Sequence, residues 1–322
     1  MTWLAWRQHR RQALYALAAL VALAAVIVPT GLKMYDALAD TGLANCLDRL
    51  GDGEFVPVPA ATACEQLSRT FTNAYSAWQL PVVLLVLLPA LVGLFFGAPL
   101  VAREVEQGTH RLVWTQGVTR LRWSAVKLTM IGLGAIAVAL AYSALTTWWL
   151  TPLALAMRGT GRFGFPFFDL YGPAPVAYTL FAVALGVLAG TITRKVLPAM
   201  AITLFGFIGA RTAVTIFARP HYQPAAELSF PATTDRMPNP ARGDWILVNN
   251  VYDGTGRLVD ANGIRICPPA ASGCDTLGLV NRWTVQPGDR FWLFQAVEAG
   301  IFVVVAVVLA YVAVRIVRRR LS

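Results

Sequence analysis

Six apolar stretches, each of a length that crosses a bilayer as a helix, constrain this chain more than any motif in it. They run Ala13 to Leu32, Leu80 to Val101, Leu128 to Leu150, Pro175 to Ile192, Val196 to Phe217 and Phe291 to Val314. A helix needs about 17–25 such residues to span a hydrocarbon core of about 30 Å. Lipid offers no partner to backbone N–H and C=O groups, and a helix satisfies them within the segment itself. Composition agrees: 57% of residues are hydrophobic and 14% charged, against about 45–50% and 25% in a soluble domain. The expected fold class is an all-α polytopic membrane protein with six transmembrane helices.

Orientation follows from Lys and Arg, which gather on the cytoplasmic side of short loops. With both termini inside, the cytoplasmic segments hold Arg7, Arg10, Arg11, Arg103, Arg111, Arg120, Arg122, Lys127, Arg194, Lys195, Arg315, Arg318, Arg319 and Arg320 against only Glu104 and Glu106. The outer segments are close to neutral. The net charge of +10 is therefore a signature of topology, and basic residues scattered along membrane edges argue against nucleic acid as a partner. Expected localisation is the cell membrane, multi-pass, with membrane lipid as a partner. The basic start and apolar run also resemble the opening of a signal peptide, but the run exceeds the usual h-region of about 7–15 residues, which favours a retained anchor.

All four cysteines fall in segments assigned to the outside: Cys46 and Cys64 in the first outer loop, Cys267 and Cys274 in the last. An even count in an oxidising compartment points to two local disulfides, with free thiols as the alternative. His9, His110 and His221 are the only histidines, and none sits near a cysteine pair. No metal site is expected.

Outside the spans the chain divides unevenly. Residues 1–12 mix Trp3, Leu4 and Trp6 with Arg7, Arg10 and Arg11, which suits either an interfacial helix leading into the first span or a snorkelling flank. The segment from Arg158 to Phe168 is rich in Gly, Pro and Phe, and its aromatic residues are expected at the membrane interface. Residues 218–290 are too long and too polar for a connector and predict a small extracytoplasmic domain of mixed or β structure before the last helix. Within it, Trp245 to Tyr252 and the segment from Arg257 predict two strands around Asp253-Gly254, a dipeptide that supplies the positive φ of a hairpin. A calcium loop using Asp253 and Asp260 has too few ligands to compete with that reading. Residues 315–322 form a basic cytoplasmic tail.

The chain lacks a phosphate-binding G-x-x-x-x-G-K-[ST], an H-E-x-x-H and a G-x-S-x-G. It is not expected to be an enzyme, and no cofactor is expected in it, so any work on a substrate must draw on a gradient or another chain. The segment 102–124, between the second and third spans, is built to receive that work. Arg103 to Gln107 continue the second span as a helix, and Gly108 ends it with positive φ. Thr109 can cap a short helix from His110 to Thr115, and Gly117 ends that helix before Trp123. Glu104 and Glu106 either pair with nearby arginines or offer charge to a partner.

The run Val101-Ala-Arg-Glu-Val-Glu-Gln-Gly-Thr109 resembles the Arg-Glu-x-Glu-x-Gly-Thr signature of type-2 ATP-binding-cassette exporter permeases. The continuation from Arg111 to Trp123 looks like the form found in actinobacterial members. In that family the signature ends the second span and opens the coupling helix. The resemblance implies that two copies of the chain form a membrane homodimer and that two separate ABC ATPase subunits, which carry ATP and Mg, grip the coupling helices. It assigns coupling to Glu104, Glu106, Gly108 and Thr109, with His110, Arg111 and Trp114 following in the same segment. Permeases of that family export amphipathic drugs, lipids or polymers, and the motif does not carry the substrate over. An amphipathic or lipid-like one is expected here, along the second and fifth spans that face each other across the dimer axis in that family, with Phe95, Phe96, Phe205 and Phe207 as the candidate lining. The competing reading is a non-transporting membrane module whose outer domain binds a ligand or partner; the coupling motif favours the exporter.

Two further features arise inside the spans. Arg211 and Glu298 both lie near 10 Å below the outer surface, at about 1.5 Å per residue, and are expected to pair. Ionisable groups in lipid are functional candidates by default, although a salt bridge that merely fastens two spans is the plainer reading. Gly186 and Gly190 form a small-xxx-small pattern that permits close helix approach, while Pro81, Pro89 and Pro99 predict bends in the second span.

Overall fold

The computed structural model describes residues 2–108, 120–157, 161–267 and 278–320. Among the described residues six helices are long and apolar enough to cross a membrane: Ala13–Thr41, Ser76–Glu106, Leu128–Ala156, Ala174–Thr193, Val196–His221 and Gly288–Arg319. Each contains or closely matches one expected span, and most run further. The first continues to Thr41 because Met34 and Leu38, beyond the apolar run, stay buried in a cluster with Trp149 and Phe71. It also extends back without a break to Thr2, so nothing separates the basic N-terminal turns from the span. Six crossings leave Thr2 and Arg320 on one face, the terminal face.

The opposite face carries a four-stranded antiparallel sheet in the order β2-β6-β4-β5, formed by β2 (Ala226–Pro231), β4 (Trp245–Tyr252), β5 (Leu258–Ala261) and β6 (Val280–Gln286). The expected hairpin is β4–β5. Its turn is held by Asp253, whose Oδ1 accepts from the Thr255 and Arg257 amides at 2.9 and 2.8 Å and from the Thr255 hydroxyl at 2.6 Å. Asp260 pairs instead with Arg265 at 3.3 Å.

This sheet domain is not built from residues 218–290 alone. In the first loop, β1 (Phe55–Pro57) pairs antiparallel with β3 (Arg236–Pro238), placing Phe55 opposite Pro238. Phe55 packs against Phe230 and so joins the core of Leu228, Trp283 and Val285. Buried Asn239 closes the junction, donating from Nδ2 to the carbonyls of Gly51 and Gly53, both at 2.8 Å. Two helices of the same loop, Leu43–Leu50 and Val58–Ala74, are cross-linked by the Cys46–Cys64 disulfide, with Cα atoms 5.6 Å apart. Cys267 is also disulfide-bonded; Cys274 lies outside the described residues. Asn239→Ala removes both Nδ2 bonds and the one its Oδ1 accepts from the Ala241 amide at 2.9 Å, so it is expected to cost about 1–3 kcal/mol. Faster amide exchange in residues 51–58 and 235–239, with the spans unaffected, is the measurement that checks it.

Among the spans, the fourth is the hub: 67% of its apolar window is buried, against 6% for the first. Its approach to the second span is set by glycine. A Cβ on Gly186 would stand 2.6 Å from the Ala98 nitrogen, and one on Gly190 would stand 2.5 Å from the Ala98 oxygen. Reciprocally, Cβ atoms on Gly93 and Gly97 would meet the carbonyl oxygens of Ala182 and Val183 at 2.5 and 2.6 Å. The two backbones touch along two turns because neither side carries a side chain there.

Of the three prolines expected to bend the second span, Pro89 lies at a break, and at Pro89 and Pro152 a neighbouring span meets the carbonyl that the proline frees. Pro89 has no N–H for the carbonyl of Leu85, and the second span breaks beside it, between Leu85 and Leu88; Tyr142 of the third span donates its hydroxyl to Leu85 O at 2.8 Å. Pro152 likewise frees Trp148 O, which accepts from Tyr35 of the first span at 3.0 Å. A π-helical turn at Gly93–Gly97 precedes Pro99. Such repairs are the condition for irregular helix within a bilayer.

Candidate functional site

The chain between the third and fourth spans folds inward. Phe163, Phe167 and Phe168 are buried, contrary to the expectation that the aromatics of this segment lie at the membrane interface; Phe165 alone of the four is exposed. The reason is a polar seam on the third span. Thr146 donates to Leu170 O at 2.7 Å, Ser143 donates to Gly172 O, and Thr147 accepts from the Gly172 amide at 3.0 Å. From the sixth span, Gln295 donates to Phe168 O at 2.8 Å and accepts from the Ala174 amide at 3.1 Å. With its backbone satisfied this way, the short helix Phe167–Leu170 can sit among the spans and carry Asp169 with it.

Asp169 meets two arginines of the fifth span. Its Oδ1 lies 2.7 Å from Arg211 Nη2 and 2.8 Å from Arg219 Nη2. Arg219 also grips Glu298 of the sixth span with two bonds, Nε to Oε2 at 2.8 Å and Nη2 to Oε1 at 2.7 Å. Tyr178 donates to Glu298 Oε1, and Tyr222 donates to Oε2 at 3.1 Å. The guanidinium of Arg219 rests 3.9 Å above the Phe168 ring, and that of Arg211 rests 4.7 Å from the Tyr178 ring centre. All four charged side chains are at most 10% exposed.

The expected direct pair between Arg211 and Glu298 is therefore corrected. Both are buried in one cluster, but Arg211 pairs with Asp169 and Glu298 with Arg219. The expected span ended at Phe217, whereas the helix continues through a π turn at Val214–Ala218 to Arg219–His221. In a regular α-helix, eight residues would put Arg219 about 80° round from Arg211. The π turn takes up an extra residue and brings the two onto nearly one face. Asp169 and Arg219 were missed because one lay in a segment read as interfacial and the other just past a span end. A signal existed: Asp169 is the only acid between Glu106 and Glu227.

Two cations and two anions cancel, which is the arrangement that makes buried charge tolerable. For Asp169, burial would raise the carboxyl pKa, but the facing guanidiniums of Arg211 and Arg219 outweigh it and hold the group below its ordinary 3.8. A depressed carboxylate contributes stability that is present above its unfolded pKa and is lost as pH falls through its folded value. The thermal midpoint is expected to be insensitive to this group from neutral pH down to about 5, and to drop only in stronger acid. Asp169→Asn should flatten that acid limb in a pH series of unfolding curves.

At the terminal face the helix ends after Glu106, and Gly108 has φ +69°, as the sequence requires. Glu104 is half-buried and Glu106 exposed. The Glu106 carboxylate does not only face outward: its Oε2 accepts from the amide of Val196, the first residue of the fifth span, at 3.1 Å. Thr109, His110, Arg111 and Trp114 lie outside the described residues. The four phenylalanines do not share one environment. Phe207 is buried beside Phe181, Phe96 is half-buried, and Phe95 and Phe205 are exposed. Among the described residues no group of three or more His, Cys, Asp or Glu could hold a metal ion.

A family model described as ABC-2 membrane transporter related matches residues 17–219. The matched stretch covers the second to fourth spans and nearly all of the first and fifth, with the Arg103–Gly108 segment and three of the four charged residues of the cluster. No curated protein and no solved structure matches the chain. With well over half of its 322 residues covered by that model, the chain belongs to the ABC-2 membrane transporter related family.

Proposed function

We propose that the chain is the membrane-spanning permease subunit of an ABC exporter, working as a homodimer with two copies of a separate ATPase subunit. The single observation that carries this reading is the family match, which runs through the coupling segment at the end of the second span. Both termini and the 102–124 segment lie in the cytoplasm, and the disulfide-bonded sheet domain lies outside. ATP and Mg belong to the partner. Glu104, Glu106, Gly108, Thr109, His110, Arg111 and Trp114 form the coupling region, and an amphipathic or lipid-like molecule is the substrate. Its path runs beside the second and fifth spans, past Phe95, Phe96 and Phe205, with Phe207 behind them. The charge cluster fastens the outer ends of the fifth and sixth spans to the inward-folded segment, so its opening accompanies release to the outside.

Purification of the tagged protein in mild detergent, followed by mass spectrometry, tests the partner. A P-loop ATPase in near one-to-one amount, lost when Arg111→Glu is combined with Trp114→Ala, is the expected result. Absence of any ATPase from the unmutated preparation would remove the exporter reading and leave a membrane module with an outer domain.

A further inference from the structure

The fifth span begins without a cap of its own. Lys195, at the position that precedes the helix, is extended and offers no side-chain bond to the first turn. The missing acceptor comes from Glu106, ninety residues earlier, at the end of the second span. A carboxylate there satisfies an orphan amide and faces the positive end of the helix dipole. The inner halves of these two spans are also in direct contact, through a small-residue cluster in which Ala98, Ala189 and Ala199 pack together. At the other end the same two spans are joined again, where Arg211 donates to Val86 O at 3.5 Å beside the break in the second span.

We infer that Glu106 is a positioning residue that passes movement of the coupling segment into the fifth span by capping its N-terminus, and not a contact offered to the ATPase. This deepens the permease reading and rests on it. The fifth span is a lever of 26 residues, about 39 Å long at 1.5 Å per residue. Glu106 holds its inner end; Arg211 and Arg219 at its outer end hold Asp169 and Glu298. A displacement of the segment after Val101 therefore reaches the buried charges through one continuous helix. Glu104, two residues earlier, is half-buried on a different side of the turn.

The test uses the whole complex in proteoliposomes, with Glu106→Ala and Glu106→Gln compared. Glutamine keeps an oxygen that accepts from the Val196 amide; alanine does not. The first readout is amide exchange at the start of the fifth span, expected to rise about fivefold in the alanine variant, the change that follows from loss of one cap. The second is the ATP-dependent change in maleimide labelling of His221→Cys, an exposed position at the outer end of the span, with the His221-containing protein as background control. Glu106→Ala should keep the ATPase bound yet reduce the ATP response at least threefold, and Glu106→Gln should restore both readouts. Loss of the ATPase from Glu106→Ala would make Glu106 a docking contact and overturn the inference. An undiminished ATP response with the ATPase bound would overturn it too, as would a glutamine variant that behaves like alanine. If the unmutated chain binds no ATPase, the permease reading itself fails, an outcome distinct from these.

Discussion

Replacing Arg219 with methionine is expected to lower stability by about 3–5 kcal/mol, the range for removing one partner of a buried ion pair. Arg219 supplies both charge-assisted bonds to Glu298 and one of the two to Asp169. Methionine fills comparable volume, so packing on Phe168 is largely retained and the loss is electrostatic. Glu298, wholly buried, would keep, among the described residues, the hydroxyls of Tyr178 and Tyr222. Adding Glu298→Gln removes the uncompensated charge and should recover a large part of the loss. Arg211→Met should cost less, because Asp169 still has Arg219. Thermal unfolding in detergent, followed by the fluorescence of the chain's 10 tryptophans, orders the three variants. Equal midpoints for Arg219→Met and Arg211→Met would mean that the cluster does not share its load as the distances imply.

The second large effect is expected from a single methyl group. Gly190→Ala puts a Cβ at 2.5 Å from the carbonyl oxygen of Ala98, and Gly93→Ala puts one at the same distance from that of Ala182. In both cases the obstruction is backbone, which cannot rotate away as a side chain can. The second and fourth spans must separate, and the fourth is the hub for the others. Overpacking of this kind costs about 1–3 kcal/mol, and the upper end is expected because both helices move as units. Gly132, Gly134, Gly209 and Gly300 provide internal controls: a Cβ at any of them meets nothing within 4 Å. Alanine at those four sites should leave the midpoint unchanged or raise it slightly, since alanine is the better helix former. If Gly190→Ala behaves like Gly209→Ala, the close approach of the two backbones is not present in the protein.

Both effects lie where reading residues one at a time is weakest. Gly186 and Gly190 form a recognisable pattern, but such patterns are common in glycine-rich spans. What gives this one meaning is Gly93 and Gly97, almost a hundred residues away, emptying the facing surface at the same level. Arg211 and Glu298 were conspicuous as charges in apolar runs, yet their true partners were not. Asp169 is placed by hydroxyls of Ser143, Thr146 and Thr147 that have nothing charged about them, and Arg219 by an irregular turn that hydropathy does not register.

The number and helical nature of the six spans were determined by the sequence itself, because hydropathy and length are local quantities and lipid leaves an apolar backbone one main solution. The β4–β5 hairpin was legible for the same reason, Asp253 and Gly254 acting within a few residues of each other. Only the tertiary structure decided that the first loop completes the sheet domain, that the segment after the third span folds in among the helices, that Arg211 and Glu298 take other partners, and that Glu106 caps the fifth span. Each of these is a contact between residues distant in the chain. Which donor meets which acceptor there depends on how whole helices pack and rotate, and that is a property of the assembled bundle.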